Sequence, residues 1–202
     1  MTARAAGSRG SGADAPGDDP WAPPPEDEAV AVPDADVEQV ARTILLDQLT
    51  GRARSRQELA TKLASRDVPE EVAHRLLDRF EEVGLVDDAA FARSWVEGRR
   101  SAKGLARRAL AQELRRKGVD DEVAREALAE VEPDDETETA RVLVRKKLRS
   151  MSGLEAPVAT RRLVGMLARK GYAPGTAYSV VREELAARGD DVDELDDAGE
   201  AD

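Results

Sequence analysis

Cysteine is absent from the 202 residues, and histidine occurs once, at His74. With no thiol there is no disulfide framework, no cysteine nucleophile and no thiolate metal site, a composition that suits a reducing compartment. A single imidazole without cysteine supplies neither a catalytic triad nor a metal cluster, so His74 reads as a surface residue of a helix. Aromatic residues are only 3% of the chain. No apolar run approaches the roughly 18 residues that span a bilayer. The start, MTARAAGSRGSG, lacks the apolar core of a signal peptide. No GxxxxGK[ST] run occurs, and the glycines of GSRGSG do not follow a strand, so no phosphate loop is expected. Carboxylates are plentiful but fall in tails and in first turns of helices, where capping and solvation account for them. The expectation is a soluble, cytoplasmic, monomeric protein that is no enzyme, with no catalytic residue, cofactor site or metal site.

What remains is rich in Ala, Leu, Val, Glu and Arg, a mixture that favours helices with aliphatic cores. The net charge of −11 is unevenly distributed. Residues 1–36 carry two arginines and eight acids, and residues 189–202 carry eight acids and no base. Between them, 37–98 holds 9 basic and 12 acidic residues, whereas 99–188 holds 20 and 14. The ends are thus acidic and the C-terminal half of the remainder is basic. PGDDPWAPPPEDE and GDDVDELDDAGEAD offer too little apolar surface to offset the entropy of ordering, so 1–36 and 189–202 are expected to be disordered arms. Trp21 is expected to be a solvated residue of the first.

From Val37 the spacing is helical. Val40, Ile44, Leu45 and Leu49 form a stripe, and Gly51 ends it. Ser55 and Glu58 make a capping box for a helix carrying Leu59 and Leu63. Pro69, Glu70 and Glu71 suit the first turn of a third helix, with Val72, Leu76, Leu77 and Phe80 as its stripe and Gly84 as its stop. The pattern then repeats. LASRDVPEEVAHRLL, LRRKGVDDEVAREAL and LARKGYAPGTAYSVV begin at Leu63, Leu114 and Leu167. Leu59, Leu110 and Leu163 correspond, as do Val68, Val119 and Tyr172. Lys117-Gly118 and Lys170-Gly171 end the second helix of their units, where the first unit has Arg66-Asp67. First helices are expected at Val37 to Leu49, Asp88 to Arg100 and Glu136 to Ser150. The predicted fold is therefore all-α, with three three-helix repeats at 37–86, 87–133 and 134–188. A unit this small is expected to stack on its neighbours. Phe91 and Trp95, one helical turn apart, are expected to form core at the joint between the first and second units.

The densest positive run lies in the second unit. Arg99, Arg100, Lys103, Arg107, Arg108, Arg115, Arg116 and Lys117 face one acid of the same stretch, Glu113. Ala106, Leu110 and Leu114 form the expected buried stripe of this helix, leaving Arg108, Gln112, Arg115 and Arg116 outward. Further bases follow at Arg141, Arg145, Lys146, Lys147 and Arg149, and at Arg161, Arg162, Arg169 and Lys170. Such faces suit a phosphate backbone or an acidic protein groove. No aromatic residue interleaves with the 99–117 run after Arg99, which argues against base stacking.

RARSRQELATKL (52–63), GLVDDAAFARSWVEGR (84–99), Lys103-Gly104 and ELRRKGV (113–119) resemble the RecX family, regulators of the RecA recombinase. Asp87-Asp88 with Phe91, Ala92 and Trp95 is the most specific part, and the likeness spans about 37–188. The resemblance implies three tandem three-helix repeats in an elongated, curved molecule. It also implies binding in the groove of the RecA filament, inhibition of ATP hydrolysis, recombination and coprotease activity, and contact with single- or double-stranded DNA. DNA repair and the SOS response would be affected. Ala173, Pro174 and Gly175 depart from the family pattern by replacing an acidic helix start, which puts the first turn of the last helix in question. The eight second-unit bases are carried over, by position, as the expected partner-binding residues. The alternatives are a helix-turn-helix-type DNA-binding regulator, disfavoured by the acidic or mixed third helices, and a scaffold without nucleic-acid contact.

Overall fold

The computed structural model describes residues 34–189, and within these every regular element is an α-helix. The first unit comprises α1 (Asp34–Gly51), α2 (Arg56–Ala64) and α3 (Glu70–Glu82). The second comprises α4 (Asp88–Lys103), α5 (Arg107–Arg116) and α6 (Asp121–Ala129). The third comprises α7 (Pro133–Leu148), α8 (Ala156–Arg169) and α9 (Pro174–Arg188). In every unit the third helix packs against both others. Trp21 and nearly all of the acidic arms lie outside the described residues, and α1 begins at Asp34, ahead of the expected Val37.

Local chemistry sets the helix starts. Ser55 Oγ accepts from the Glu58 amide at 3.2 Å while the Ser55 amide donates to Glu58 Oε2 at 3.4 Å, so the capping box forms in full. Asp87 caps α4 by accepting from the Ala90 amide at 2.8 Å, and Asp120 does the same for α6 through the Glu122 amide. The third unit uses proline in the first turn of all three helices instead. Pro174, whose fixed φ suits a first helical position and whose missing N–H is not needed there, starts α9 where Ala173 offers no side-chain cap.

Leu59, Leu110 and Leu163 are buried, as are Leu63, Leu114 and Leu167 at the next turn. The α1 stripe is displaced from the expected one: Ala41 and Leu45 are fully buried, whereas Val40 is 57% exposed. The cores also differ from expectation. Each unit has its own apolar cluster, the third unit's also taking in Ala106 of the second, and Phe91 belongs to that of the second unit, with Ala92, Val96, Leu110 and Leu114. Phe91 is therefore not inter-unit core. Phe91 is buried there, 4% exposed, together with Leu110 and Leu114 of α5.

Both joints use the same contact. Second helices meet end to end, with the N-terminus of one facing the C-terminus of the next unit's. Ser55 Oγ donates to the Lys117 carbonyl at 2.6 Å, and the Ala106 amide donates to the Lys170 carbonyl at 2.9 Å. Beside these, the Arg56 amide donates to Asp88 Oδ1 at 2.8 Å and the Arg107 amide to Glu136 Oε2 at 3.1 Å. Orphan N–H groups of one helix thus find acceptors in the next unit.

The end-to-end approach explains the glycines. Gly118 (φ +72) and Gly171 (φ +90) end α5 and α8 in the left-handed region, which favours glycine. A Cβ at Gly171 would lie 2.6 Å from the Ala109 nitrogen, and one at Gly118 would lie 2.3 Å from Gln57 Cβ. Asp67 occupies the corresponding place in the first unit with φ 56. Aspartate bears the left-handed backbone better than most residues.

Candidate partner-binding surface

Trp95 lies where the first two units meet. It is half-buried, stacks on Phe91 with ring centroids 5.6 Å apart, and donates from Nε1 to Glu113 Oε2 at 2.9 Å. Arg99 Cζ lies 4.2 Å and Lys117 Nζ 4.8 Å from the Trp95 ring centre, both within cation–π range. Arg99 also pairs with Glu113 at 2.9 Å, and Lys117 reaches across the joint to Glu58 Oε1 at 2.6 Å. Burial acts to raise the Glu58 carboxyl's pKa, but the Lys117 ammonium beside it and the Ser55 amide hold it below its ordinary value. Asp88 goes the other way: burial pushes its carboxyl up despite the bond from the Arg56 amide. Arg56, whose amide crosses the joint to Asp88, keeps its guanidinium within the first unit, in ion pairs to Asp78 at 2.6 Å and Glu81 at 2.5 Å on α3.

These contacts divide the eight bases expected to bind a partner. Arg99 pairs with Glu113, Arg100 with Asp135 at 3.4 Å, Arg107 with Glu136 at 3.2 Å, Arg115 with Asp121 at 3.2 Å, and Lys117 with Glu58. The expectation that their charge is uncompensated is therefore corrected for five of them. Four of the five partner acids lie outside the 99–117 stretch, so their neutralising effect depends on the tertiary fold. Lys103, Arg108 and Arg116 are exposed and form no ion pair among the described residues. The expected outward face of α5 is present, since Arg108, Gln112, Arg115 and Arg116 are all exposed.

The fold also recruits residues that the linear charge run does not contain. A cleft of about 390 Å3 at the first joint is lined by Arg54, Glu58 and Lys62 from the first unit and by Arg116 and Lys117 from the second. Lys62 thus extends the α5 face across the joint, while Arg54 is half-buried and paired with Glu58 at 4.0 Å. The signal of Lys62 in the sequence is slight, since it is an ordinary last-turn base of α2. In the third unit, Arg141 pairs with Glu183 at 2.9 Å and Arg145 with Glu184 at 2.8 Å, removing them from the free surface. His74 is exposed on α3 with Glu70 at 3.5 Å. Among the described residues, no group of His, Cys, Asp or Glu could hold a metal ion, and no helix is long and apolar enough to cross a membrane. What this arrangement offers is exposed guanidinium and ammonium groups on rigid helices, suited to binding anionic groups.

Comparison with known proteins places this architecture. Residues 41–80, 87–128 and 134–181 match the first, second and third three-helix domains of RecX respectively. The regulatory protein RecX of Streptomyces coelicolor is 50% identical over 167 residues, covering 83% of this chain and 89% of that protein. The regulatory protein RecX of Thermobifida fusca is 52% identical over 153 residues, covering 76% and 83%. Among solved structures, RecX from Lactobacillus salivarius superposes with a TM-score of 0.69 over 76% of this chain and 99% of its own, at 22% identity, a likeness of fold. With all three repeat units matched in order and half of the residues shared with curated relatives over most of its length, the chain belongs to the RecX family of regulatory proteins.

Proposed function

We propose that this protein regulates a RecA recombinase by binding the RecA–DNA filament, chiefly as an inhibitor, and so acts on DNA repair, recombination and the SOS response. Membership of the RecX family across all three repeat units carries the reading. The chain acts by binding, without chemistry of its own. The repeated end-to-end joints tie the three units into one series, so that exposed bases of successive units present themselves together. A rigid series seated across neighbouring protomers would hold back the movements that accompany ATP hydrolysis and strand exchange. Lys103, Arg108 and Arg116, with Lys62 across the first joint, supply the contact to acidic protein or phosphate groups. Many moderate charged contacts make such binding salt-sensitive.

Titration of the protein into RecA-dependent ATP hydrolysis on single-stranded DNA tests the proposal. Progressive inhibition that weakens as salt is raised is expected, and an unchanged rate at saturating protein would overturn it. The helix-turn-helix alternative calls for a basic recognition helix and tight, sequence-dependent binding to duplex alone. The third helix of the second unit, DEVAREALA, carries one arginine among three acids, which does not suit a DNA groove.

A further inference from the structure

Positive charge without a partner is concentrated in the third unit. Lys147 of α7 and Arg161, Arg162 and Arg169 of α8 line a cleft of about 460 Å3, together with Met151 and Met166. All four cations are exposed, and none forms an ion pair among the described residues. Arg141 and Arg145, earlier on α7, are by contrast paired with acids of α9. No carboxylate lines the cleft. Four like charges around one small space repel one another, so the cleft favours an occupant with several closely spaced negative groups.

The fold brings the acidic end of the chain to this rim. Arg188, the last residue of α9, donates from Nη1 to the Met151 carbonyl at 3.3 Å, and Met151 lines the cleft. After Gly189 follow 13 residues, DDVDELDDAGEAD, with eight carboxylates and no base. Fully extended, 13 residues reach about 43 Å, far beyond the cleft. A short tether also raises the local concentration of such a segment to the order of millimolar.

We propose that the third-unit cleft is a carboxylate-binding site occupied in cis by residues 190–202, which cover Arg161 and Arg162 and compete with polyanionic partners for them. The inference stands on the cleft and the tail alone and does not depend on the RecA reading. Each exposed contact is individually weak, so occupancy depends on several acting together and falls as salt screens them.

The test compares backbone amide NMR spectra of two full-length proteins. One is unaltered; in the other Asp190, Asp191, Asp193, Asp196, Asp197 and Asp202 are changed to Asn and Glu194 and Glu200 to Gln, which keeps tail length and removes its side-chain charge. At low salt, amide signals around Lys147, Arg161, Arg162 and Arg169 are expected to differ between the two proteins. The difference should vanish near 1 M salt, where the Debye length is about 3 Å. An Arg161→Gln, Arg162→Gln variant, altered only at exposed positions, should lack the difference at any salt. The neutralised protein should also bind an oligothymidylate several-fold more tightly than the unaltered one. Identical cleft signals in the two proteins would overturn the proposal. So would signals that move with oligothymidylate but not with neutralisation, which would make the cleft a nucleic-acid site, or signals that depend on protein concentration, which would assign the occupant to a second copy.

Discussion

Ser55 Oγ donates a 2.6 Å hydrogen bond to the carbonyl of Lys117, 62 residues along the chain, while accepting from the amide of Glu58. One fully buried hydroxyl therefore caps α2 and fastens the first unit to the second. At the second joint, where Ala106 has no hydroxyl, its amide donates to the Lys170 carbonyl in the same way.

Ser55→Ala removes the cap and leaves the Lys117 carbonyl without this donor. The expected loss of stability is about 2 kcal/mol, combining a lost cap with a buried acceptor left short. Urea unfolding measures it, and a change below about 0.5 kcal/mol, the range of ordinary surface substitutions, would show that the hydroxyl does not fasten the joint.

Gly171 and Asp67 occupy one position in the repeat and should respond oppositely to substitution. Gly171→Ala adds a Cβ at φ +90, 2.6 Å from the Ala109 nitrogen, so backbone must move. It should loosen the second joint while the helices persist, seen as faster hydrogen exchange of the Ala106 amide. Asp67→Gly relieves a left-handed backbone penalty of roughly 1–2 kcal/mol against a chain-entropy loss of about 0.4–1 kcal/mol, and should stabilise by about 0.5–1 kcal/mol. Unchanged exchange at Ala106 in Gly171→Ala would argue against the close approach as the reason for glycine.

Much of this fold is legible in the sequence because repetition multiplies weak signals. Leu59, Leu110 and Leu163 identify one buried position three times, and the Ser55–Glu58 box marks a helix start by local chemistry. Partners distant in sequence are a different matter. Arg107 beside Arg108 looks free until Glu136, 29 residues away, bonds both its side chain and its amide. Phe91 and Trp95 share a helical face, yet Phe91 is buried in the second unit's core while Trp95 stays half-buried beneath Arg99 and Lys117, a distinction that spacing cannot make. The glycines show a middle case: their place after α5 and α8 is readable as helix stops, but their approach to Gln57 and Ala109 requires knowing which unit lies against which.

Separating free from paired bases gives a sharper test of the second-unit face. Lys103→Glu, Arg108→Glu and Arg116→Glu together should raise the concentration for half-inhibition of RecA-dependent ATP hydrolysis at least about tenfold, near 1.4 kcal/mol. Their unfolding midpoint should be unchanged, because none has an ion pair to lose among the described residues. Arg107→Glu should instead destabilise the fold, since it sets a second carboxylate beside Glu136. Full inhibition by the triple variant would remove this face from the binding surface.

Tyr172 ties the second unit to the third through its hydroxyl, which donates to the Gly104 carbonyl at 3.2 Å in a buried setting. Burial, reinforced by the Glu136 carboxylate and opposed by Arg100, pushes its pKa from 10.0 to about 12. Below pH 10 the phenol is protonated whether the chain is folded or not, and its contribution is fully present. Between pH 10 and about 12 the unfolded chain releases this proton while the fold retains it, so stability falls with rising pH across that window. Tyr172→Phe cannot titrate there. At neutral pH it should cost about 1 kcal/mol for the lost hydrogen bond, but the gap between it and the parent protein should narrow as pH rises through the window. Denaturant midpoints of both proteins across the alkaline range supply the measurement, and the exposed Tyr178 cancels because both carry it. A gap that stays constant from neutral pH to above 12 would mean that the phenol ionises as readily in the fold as out of it, and that the second joint does not exclude solvent from Tyr172.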